Sequence, residues 1–493
     1  MTQLAFPDLT LALPEIFLAA AAMVLLMLGV FSRESAAART VSYASILVLL
    51  FTIVMVGLVT DGRAVTFGGT FIVDTFAVYM KALVLLSAAA AILMSREYLE
   101  TNKIFRFEFP VLVVLAALGM LMMISANDLI ALYLGIELQS LSLYVIASFQ
   151  RDSSRSAEAG LKYFVLGALA SGLLLYGMSL VYGFSGSTGF DALAKLFHGD
   201  AEHGVPLGVT IGIVFIIAGL AFKVSAVPFH MWTPDVYEGA PTPVTALFAV
   251  APKIAAMALF IRIMVGPFGD LSDQWQQVII FISVASMLLG AFAAINQTNI
   301  KRLMAYSSIG NMGYALIGLA AAGHSGDAEI SASGVEGMLV YLAIYMFMNI
   351  GTFACILLMR RQGRHVEDIS ALAGLGKSNP ALALALGIFM FSMAGIPPLA
   401  GFLGKLYVFQ AAIRAELFTL AIIGVLASVV AAFYYLRIVK IMYFDAPEEE
   451  FDGPVSFEMK SILVVSSIFI LFFILLPVPL LDSAAAATAS LFN

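Results

Sequence analysis

Charged side chains that could bind and release protons interrupt several long apolar segments of this 493-residue chain. Glu137 lies within NDLIALYLGIELQSLSLYVIAS, and Lys223, Lys253 and Lys405 lie within FKVSAVPFHMW, PVTALFAVAPKIAAMALF and GIPPLAGFLGKLYVF. Each charge costs about 2.5–3.5 kcal/mol at the centre of a membrane helix on insertion scales, so such residues indicate a function. The chemistry that a buried carboxylate and several buried amines favour is proton transfer.

A carboxylate and an amine at similar depth can act together. Burial disfavours the charged form of an amine, whereas a nearby carboxylate favours it. A Glu–Lys pair can therefore switch the amine between its charged and neutral forms, as a proton relay requires. The alternative is structural ion pairing between helices. Three lysines near the predicted midplane argue against that alternative, because Glu137 alone cannot neutralise all of them.

Long apolar helices must position these residues. The chain is 61% hydrophobic and 12% charged, whereas soluble domains are about 25% charged. The apolar runs are continuous rather than alternating, which predicts an all-α polytopic membrane protein rather than a barrel. About 14 transmembrane helices are predicted, near 13–31, 40–60, 73–95, 108–125, 127–149, 158–184, 206–237, 241–264, 275–296, 300–322, 334–360, 380–413, 415–444 and 457–481.

The distribution of Lys and Arg over the loops tests this count, because cytoplasmic loops retain positive charge. Three basic residues fall in the even-numbered loops: Arg63, Lys195 and Arg414. Thirteen fall in the odd-numbered loops: Arg33, Arg39, Arg96, Lys103, Arg106, Arg151, Arg155, Lys301, Arg302, Arg360, Arg361, Arg364 and Lys377. Both termini are therefore predicted to face away from the cytoplasm.

Prolines interrupt two of the predicted helices, with Pro228 in the seventh and Pro397–Pro398 in the twelfth. Proline removes a backbone hydrogen bond, so both helices should be broken within the membrane. The breaks are five helices apart, which predicts two inverted five-helix repeats of the kind found in transporters. The predicted domains are a three-helix segment (1–107), the first repeat (108–264, helices 4–8), the second repeat (275–444, helices 9–13) and a C-terminal helix 14 (457–493).

Other polar residues give weaker signals. Lys162 is shallower than the other lysines, and His230 after the first break could pass protons or be a structural histidine. Asn349 could bridge helices or waters. Lys81, Arg262, Arg437 and Lys440 lie nearer span ends, where long side chains usually reach to the interface. The sequence has no dinucleotide fingerprint and no HExxH pair, and Gly374–Ser378 lacks the first glycine of a phosphate-binding loop, so neither cofactor nor metal is expected in this chain.

Three segments resemble the proton-conducting, antiporter-like membrane subunits of respiratory complex I, NADH:quinone oxidoreductase: residues 222–253, 296–318 and 393–409. Subunits of multisubunit cation/proton antiporters are also similar. Three features favour one branch of the complex I family: the opening LALPEIFLAA, the lack of a long lateral C-terminal helix, and Lys405, where another branch has glutamate.

The resemblance implies roles for individual residues. Glu137 would be the glutamate of the fifth helix, Lys223 its partner on the broken seventh helix, Lys253 the central relay lysine, and Lys405 the lysine of the exit half-channel. Lys162 would modulate the pair. Some relatives have histidine where Asn311 stands, so water would have to carry that step here.

The resemblance also implies partners and location. The chain would lie in a bacterial inner membrane beside antiporter-like subunit M and the small subunits K and J. It would bind no nucleic acid. NADH, FMN, iron–sulfur clusters and quinone would be held by partner subunits. The alternatives are a subunit of a cation/proton antiporter without redox coupling, and a scaffold whose lysines only pair helices.

Overall fold

The computed structural model describes residues 7–59, 62–199, 205–324 and 327–492. Residue 60, the predicted end of the second span, lies outside them, as do residues 1–6 and 493 of the predicted terminal domains. The described part is an all-α membrane protein, with two short β-hairpins in its loops.

The first three long helices precede Glu137. They are α1 (Leu13–Phe31), α2 (Glu34–Leu58) and α3 (Thr75–Thr101). A hairpin of β1 (Ala64–Thr66) and β2 (Phe71–Val73) joins α2 to α3. Asp74 begins α3 by accepting the Ala77 N–H, the usual role of an aspartate at a helix N-cap.

Seven helices follow, and they contain Glu137, Lys223 and Lys253. They are α4 (Glu108–Ile124), α5 (Leu129–Ala147), α6 (Ser154–Ser185), α7 (Phe190–Gly199), α8 (Leu207–Val224), α9 (Trp232–Gly239) and α10 (Thr242–Val265). The short α7 was not predicted. The predicted seventh span is divided, because α8 ends at Val224 and the chain becomes helical again at α9.

The next seven helices contain Lys405. They are α11 (Ser272–Ile295), α12 (Ile300–Ala322), α13 (Ala328–Leu357), α14 (Leu375–Ser378), α15 (Pro380–Ala394), α16 (Ala400–Arg414) and α17 (Phe418–Phe444). The second hairpin, β3 (Arg360–Arg361) with β4 (Arg364–His365), follows α13. The predicted twelfth span is likewise divided, into α15 and α16.

The C-terminal region differs from the prediction of a single helix 14. It contains α18 (Phe457–Phe472) and a separate α19 (Val478–Phe492), which packs against α3 and α13. Pro477 and Pro479 lie at the break, and proline cannot continue the hydrogen-bond ladder of the preceding helix.

Eleven helices of the described residues are long and apolar enough to cross a membrane. They lie at eleven of the predicted spans, and α4, α12 and α15 lie at the other three. Almost all of α10 and α12 and most of α13 are buried, whereas only about a third of α1, α2 and α18 is buried. The relay candidates are therefore arranged around α10, α12 and α13, the core of the molecule.

Buried ion pairs attach α3 to its neighbours, and they contradict the prediction that Lys81 and Arg262 reach the interface. Lys81 Nζ lies 2.6 Å from Glu15 Oε1, and both side chains are less than a tenth exposed. Both Asp74 oxygens accept hydrogen bonds from the Arg262 guanidinium, at 2.8 and 2.9 Å. Arg262 Nε also donates to the Ile124 carbonyl, at 3.0 Å. These pairs join α1, α3, α4 and α10.

Removing the Asp74 carboxylate should destabilise the chain strongly. Asp74→Ala would leave the Arg262 charge buried without its partner, which costs about 3–5 kcal/mol. The measurement is the midpoint of SDS-induced unfolding of the purified chain, together with its amount in membranes.

Asp445→Ala is the matched control, because the Asp445–Lys440 pair is much more exposed. An exposed pair contributes about 0–1 kcal/mol, so this variant should unfold at nearly the same SDS concentration as the unsubstituted chain. Equal effects of the two substitutions would contradict the role assigned to Asp74.

Candidate functional site

Glu137 and Lys223 lie on neighbouring helices but do not form an ion pair in the described structure. Lys223 is in the last turn of α8, and its Nζ donates a 2.7 Å hydrogen bond to Ser140 Oγ on α5. Glu137 precedes Ser140 by three residues, so both side chains lie on the same face of α5. Glu137 Oε1 is buried and has no hydrogen-bond partner among the residues that the structure describes. The amine therefore lies beside the carboxylate and is bound by the serine hydroxyl.

Lys253 lies midway along α10 and is almost completely buried. Its Nζ donates to Ser308 Oγ on α12, at 2.6 Å. Ser308 Oγ lies 2.7 Å from the hydroxyl of Tyr345 on α13, and that hydroxyl donates to the Ala249 carbonyl at 3.1 Å. The Tyr237 ring lies below the amine, with its centroid 5.4 Å from Nζ. The contacts of this lysine are thus hydroxyl groups and a ring, with no carboxylate among the described residues.

Lys405 is bound by the end of the preceding half-helix. Its Nζ donates to the carbonyls of Met393 and Ala394, at 2.9 and 3.3 Å, and to Ser428 Oγ on α17, at 2.8 Å. The last carbonyls of a helix lack intrahelical partners and carry the negative end of its dipole. The break between α15 and α16 therefore supplies the acceptors for this amine.

Gly395 makes the contact between Lys405 and α15 possible. Its φ of 84° lies in the left-handed region, which favours glycine. A Cβ at this position would lie 3.2 Å from Lys405 Cδ and 3.3 Å from Nζ, closer than usual van der Waals contact. A larger residue would therefore strain the turn and displace the amine.

A group of polar side chains on α12 lies between Lys253 and Lys405. The Tyr341 hydroxyl donates to Asn311 Oδ1 at 2.7 Å, and Asn311 Nδ2 donates to the Ser307 carbonyl at 2.7 Å. Ser307 Oγ lies 2.5 Å from the Tyr435 hydroxyl. Ser307, Asn311 and Tyr314 follow one another at helical spacing, and the Tyr314 ring lies 4.8 Å from Lys405 Nζ. This face of α12 connects the surroundings of the two lysines.

Lys162 belongs to a more exposed network of charges. Its Nζ lies 2.7 Å from both Glu158 Oε1 and Asp235 Oδ2, and its side chain is 40% exposed. Asp235 and Glu238 also pair with Arg302, at 2.8 and 3.0 Å. Lys162 therefore makes no direct contact with Lys223 in the described structure.

His230 and Asn349 remain outside the contacts of the three buried lysines. His230 lies between α8 and α9, and its buried Nδ1 has no hydrogen-bond partner in the described residues. Asn349 Nδ2 donates to the Tyr345 carbonyl one turn earlier in α13, at 2.9 Å. The structure assigns no proton-transfer contact to either residue.

The sequence interpretation missed several hydroxyl groups that surround the lysines. Ser308, Ser428 and Tyr345 were not singled out, because serine and tyrosine also join helices without any other function. The described residues contain no group of three or more His, Cys, Asp or Glu that could hold a metal ion.

Comparisons with known proteins identify the family. Residues 126–431 match the family described as NADH:quinone oxidoreductase/Mrp antiporter, TM. The chain is 61% identical over 482 residues to NADH-quinone oxidoreductase subunit N of Rhodospirillum rubrum, with 97% of each chain covered. It is 59% identical over 487 residues to the subunit N of Paramagnetospirillum magneticum, with 98% of each chain covered.

A solved structure shares the fold. A chain of respiratory complex I from Thermus thermophilus superposes with a TM-score of 0.81 at 31% identity, and the alignment covers 96% of this chain and 99% of that one. The branch of the family that the sequence favoured is confirmed by these relatives. This chain therefore belongs to the subunit N family of NADH:quinone oxidoreductase, the antiporter-like membrane subunits of respiratory complex I.

Proposed function

We propose that this chain translocates protons across the bacterial plasma membrane as a subunit of NADH:quinone oxidoreductase. The observation that carries the proposal is the set of three buried amines, Lys223, Lys253 and Lys405, each bound by a serine hydroxyl and none by a carboxylate among the described residues. An ammonium buried without a counter-ion is costly. An amine in such a site can therefore accept a proton transiently and release it again.

The acceptors available to each amine give the relay a direction. An ammonium has three N–H donors. Lys405 has three protein acceptors, whereas Lys223 and Lys253 each have one hydroxyl acceptor in the described structure. In the proposed path a proton enters near Glu137 and Lys223, moves to Lys253 and then to Lys405, and leaves to the far side.

The step from Lys253 to Lys405 follows α12. Ser308, which binds Lys253, and Tyr314, whose ring contacts Lys405, are six residues apart, or roughly 9 Å along the helix axis. Amines at such a separation cannot exchange a proton directly, so water has to complete the path beside the hydroxyl groups of this face. Asn311 holds those groups in position through Tyr341 and Ser307.

The energy for the transfer comes from other subunits of the complex. Moving one charge against the membrane potential costs about 2.3 kcal/mol per 100 mV. NADH oxidation and quinone reduction, with FMN and the iron–sulfur clusters, belong in this proposal to partner subunits. Subunit M and the small subunits K and J are the proposed neighbours in the membrane.

Two interruptions of the same form support fourteen spans arranged as two inverted repeats. Ser225 ends α8 in the left-handed conformation three residues before Pro228, and Gly395 ends α15 in the same way three residues before Pro398.

Close packing at glycine also recurs. Gly119 of α4 faces the Gln139 backbone of α5, and these are the first two helices of the first predicted repeat. Gly290 of α11 faces the Gly310 backbone of α12, which are the first two helices of the second predicted repeat. In this arrangement the predicted spans 4–8 (α4 to α10) and 9–13 (α11 to α17) have opposite orientations, and both termini face the periplasm.

The other candidate functions make different predictions. The matched family also includes subunits of Mrp antiporters, but the two curated relatives compared above are quinone oxidoreductase subunits. Complex I genes beside the gene for this chain would reject the antiporter. If the chain were a scaffold, removing a buried lysine would reduce assembly and electron transfer together.

Lys223→Ala should abolish most proton pumping without preventing assembly. The substitution removes the first amine of the relay, so pumping in inverted membrane vesicles should fall at least about tenfold, which corresponds to about 1.4 kcal/mol. NADH oxidation, proton uptake and the amount of assembled complex are measured on the same sample. Lys195→Ala, at an exposed position on α7, is the control and should retain normal activity. Normal pumping in Lys223→Ala would overturn the relay.

Ser308→Ala tests the central step. It removes the one hydroxyl that accepts from Lys253 in the described part of the chain, and leaving a buried donor unpaired costs about 1–3 kcal/mol. The rate of proton pumping should fall by roughly fivefold to a hundredfold, because the site of the central amine is disturbed. The matched control is Ser283→Ala, since Ser283 is equally buried but donates to the Gly313 carbonyl and contacts no relay lysine. Equal pumping by the two variants would exclude Ser308 from the path.

A further inference from the structure

A groove on the surface of the protein runs along the helices α15 and α18, between them. Its volume is about 450 Å³, and its lining is mainly apolar. The walls include Leu382, Ala385 and Ile388 of α15 and Leu463, Ile468 and Leu471 of α18. Since both helices lie within the membrane region, the groove faces hydrocarbon rather than water.

One end of the groove is polar and positively charged. Lys460, in the first turn of α18, is exposed and has no ion-pair partner among the described residues. Asn379 lies at the start of α15, and its Oδ1 accepts the Leu382 N–H. The two N–H groups of the same amide donate no hydrogen bond among the described residues. An ammonium and an amide donor suit a phosphate group.

The length of the groove corresponds to one leaflet. Lys460 and Leu471 are eleven residues apart, or roughly 16 Å along α18, and half of the hydrocarbon core is about 15 Å. A partner helix that crosses the bilayer would need a contact surface through both leaflets. We propose that the groove binds an anionic phospholipid, with one acyl chain between α15 and α18 and its phosphate at Lys460 and Asn379.

Such a lipid would support the half-helix that binds Lys405. The groove is lined by α15, whose last carbonyls accept from the Lys405 amine. Only this consequence rests on the proposed proton relay, because lipid binding itself depends on the groove and its charge.

Photo-crosslinking in the assembled complex tests the site. Benzoylphenylalanine replaces Ile468, which is exposed in the groove, and the complex is reconstituted in vesicles of equal phosphatidylglycerol and phosphatidylcholine. After illumination, mass spectrometry of the α18 peptide should show about fivefold more phosphatidylglycerol adduct than phosphatidylcholine adduct, the preference expected from one lysine near an anionic headgroup. Equal adducts of the two lipids, or an adduct with a partner subunit, would overturn the proposal.

Three further variants separate charge from shape. Lys460→Gln should reduce the lipid preference to about one, whereas Lys440→Gln, at an exposed lysine paired with Asp445, should leave it near fivefold. Ala381→Trp, at an exposed position in the groove, should reduce adducts of both lipids by filling the space. A similar loss of preference in Lys460→Gln and Lys440→Gln would contradict a specific headgroup site. Because this assay detects adducts rather than protons, its result is independent of the pumping experiments.

Discussion

A buried lysine ammonium needs acceptors for its protons, and a hydrocarbon environment supplies very few. The central architecture of this chain depends on that constraint. Serine hydroxyls on other helices reach Lys223, Lys253 and Lys405, and each of them accepts a hydrogen bond from the amine. The densely packed helices α10, α12 and α13 enclose Lys253 and its hydroxyl contacts.

Helix breaks provide a second source of acceptors. An intact helix uses its carbonyls internally, whereas an interrupted one leaves its last carbonyls free within the membrane. At the second break these carbonyls bind Lys405, and Gly395 leaves room for the amine. At the first break Lys223 belongs to the ending helix itself and reaches across to Ser140. The two breaks share a backbone form but place their lysines differently.

The sequence predicted the helices and both breaks well, because apolar length and proline act locally. It also singled out the buried lysines, since a charge within an apolar run is conspicuous. It could not predict which side chains meet across helices. Lys81 and Arg262 were expected at the interface, yet each has a buried carboxylate partner from a distant part of the chain. The separate α19 and the serines at Lys253 and Lys405, Ser308 and Ser428, were missed because tertiary packing places them and because serine is common in membrane helices.

The position of α12 has a mechanical consequence. One rigid helix presents Ser308 to Lys253 and Tyr314 to Lys405, so a displacement of that helix alters both lysine sites at once. A sliding motion of about 1.5 Å, the rise of one residue, would exceed the tolerance of the hydrogen bond at Ser308. A displacement of α12 would therefore change the surroundings of Lys253 and Lys405 together, without any intermediate contact between the two sites.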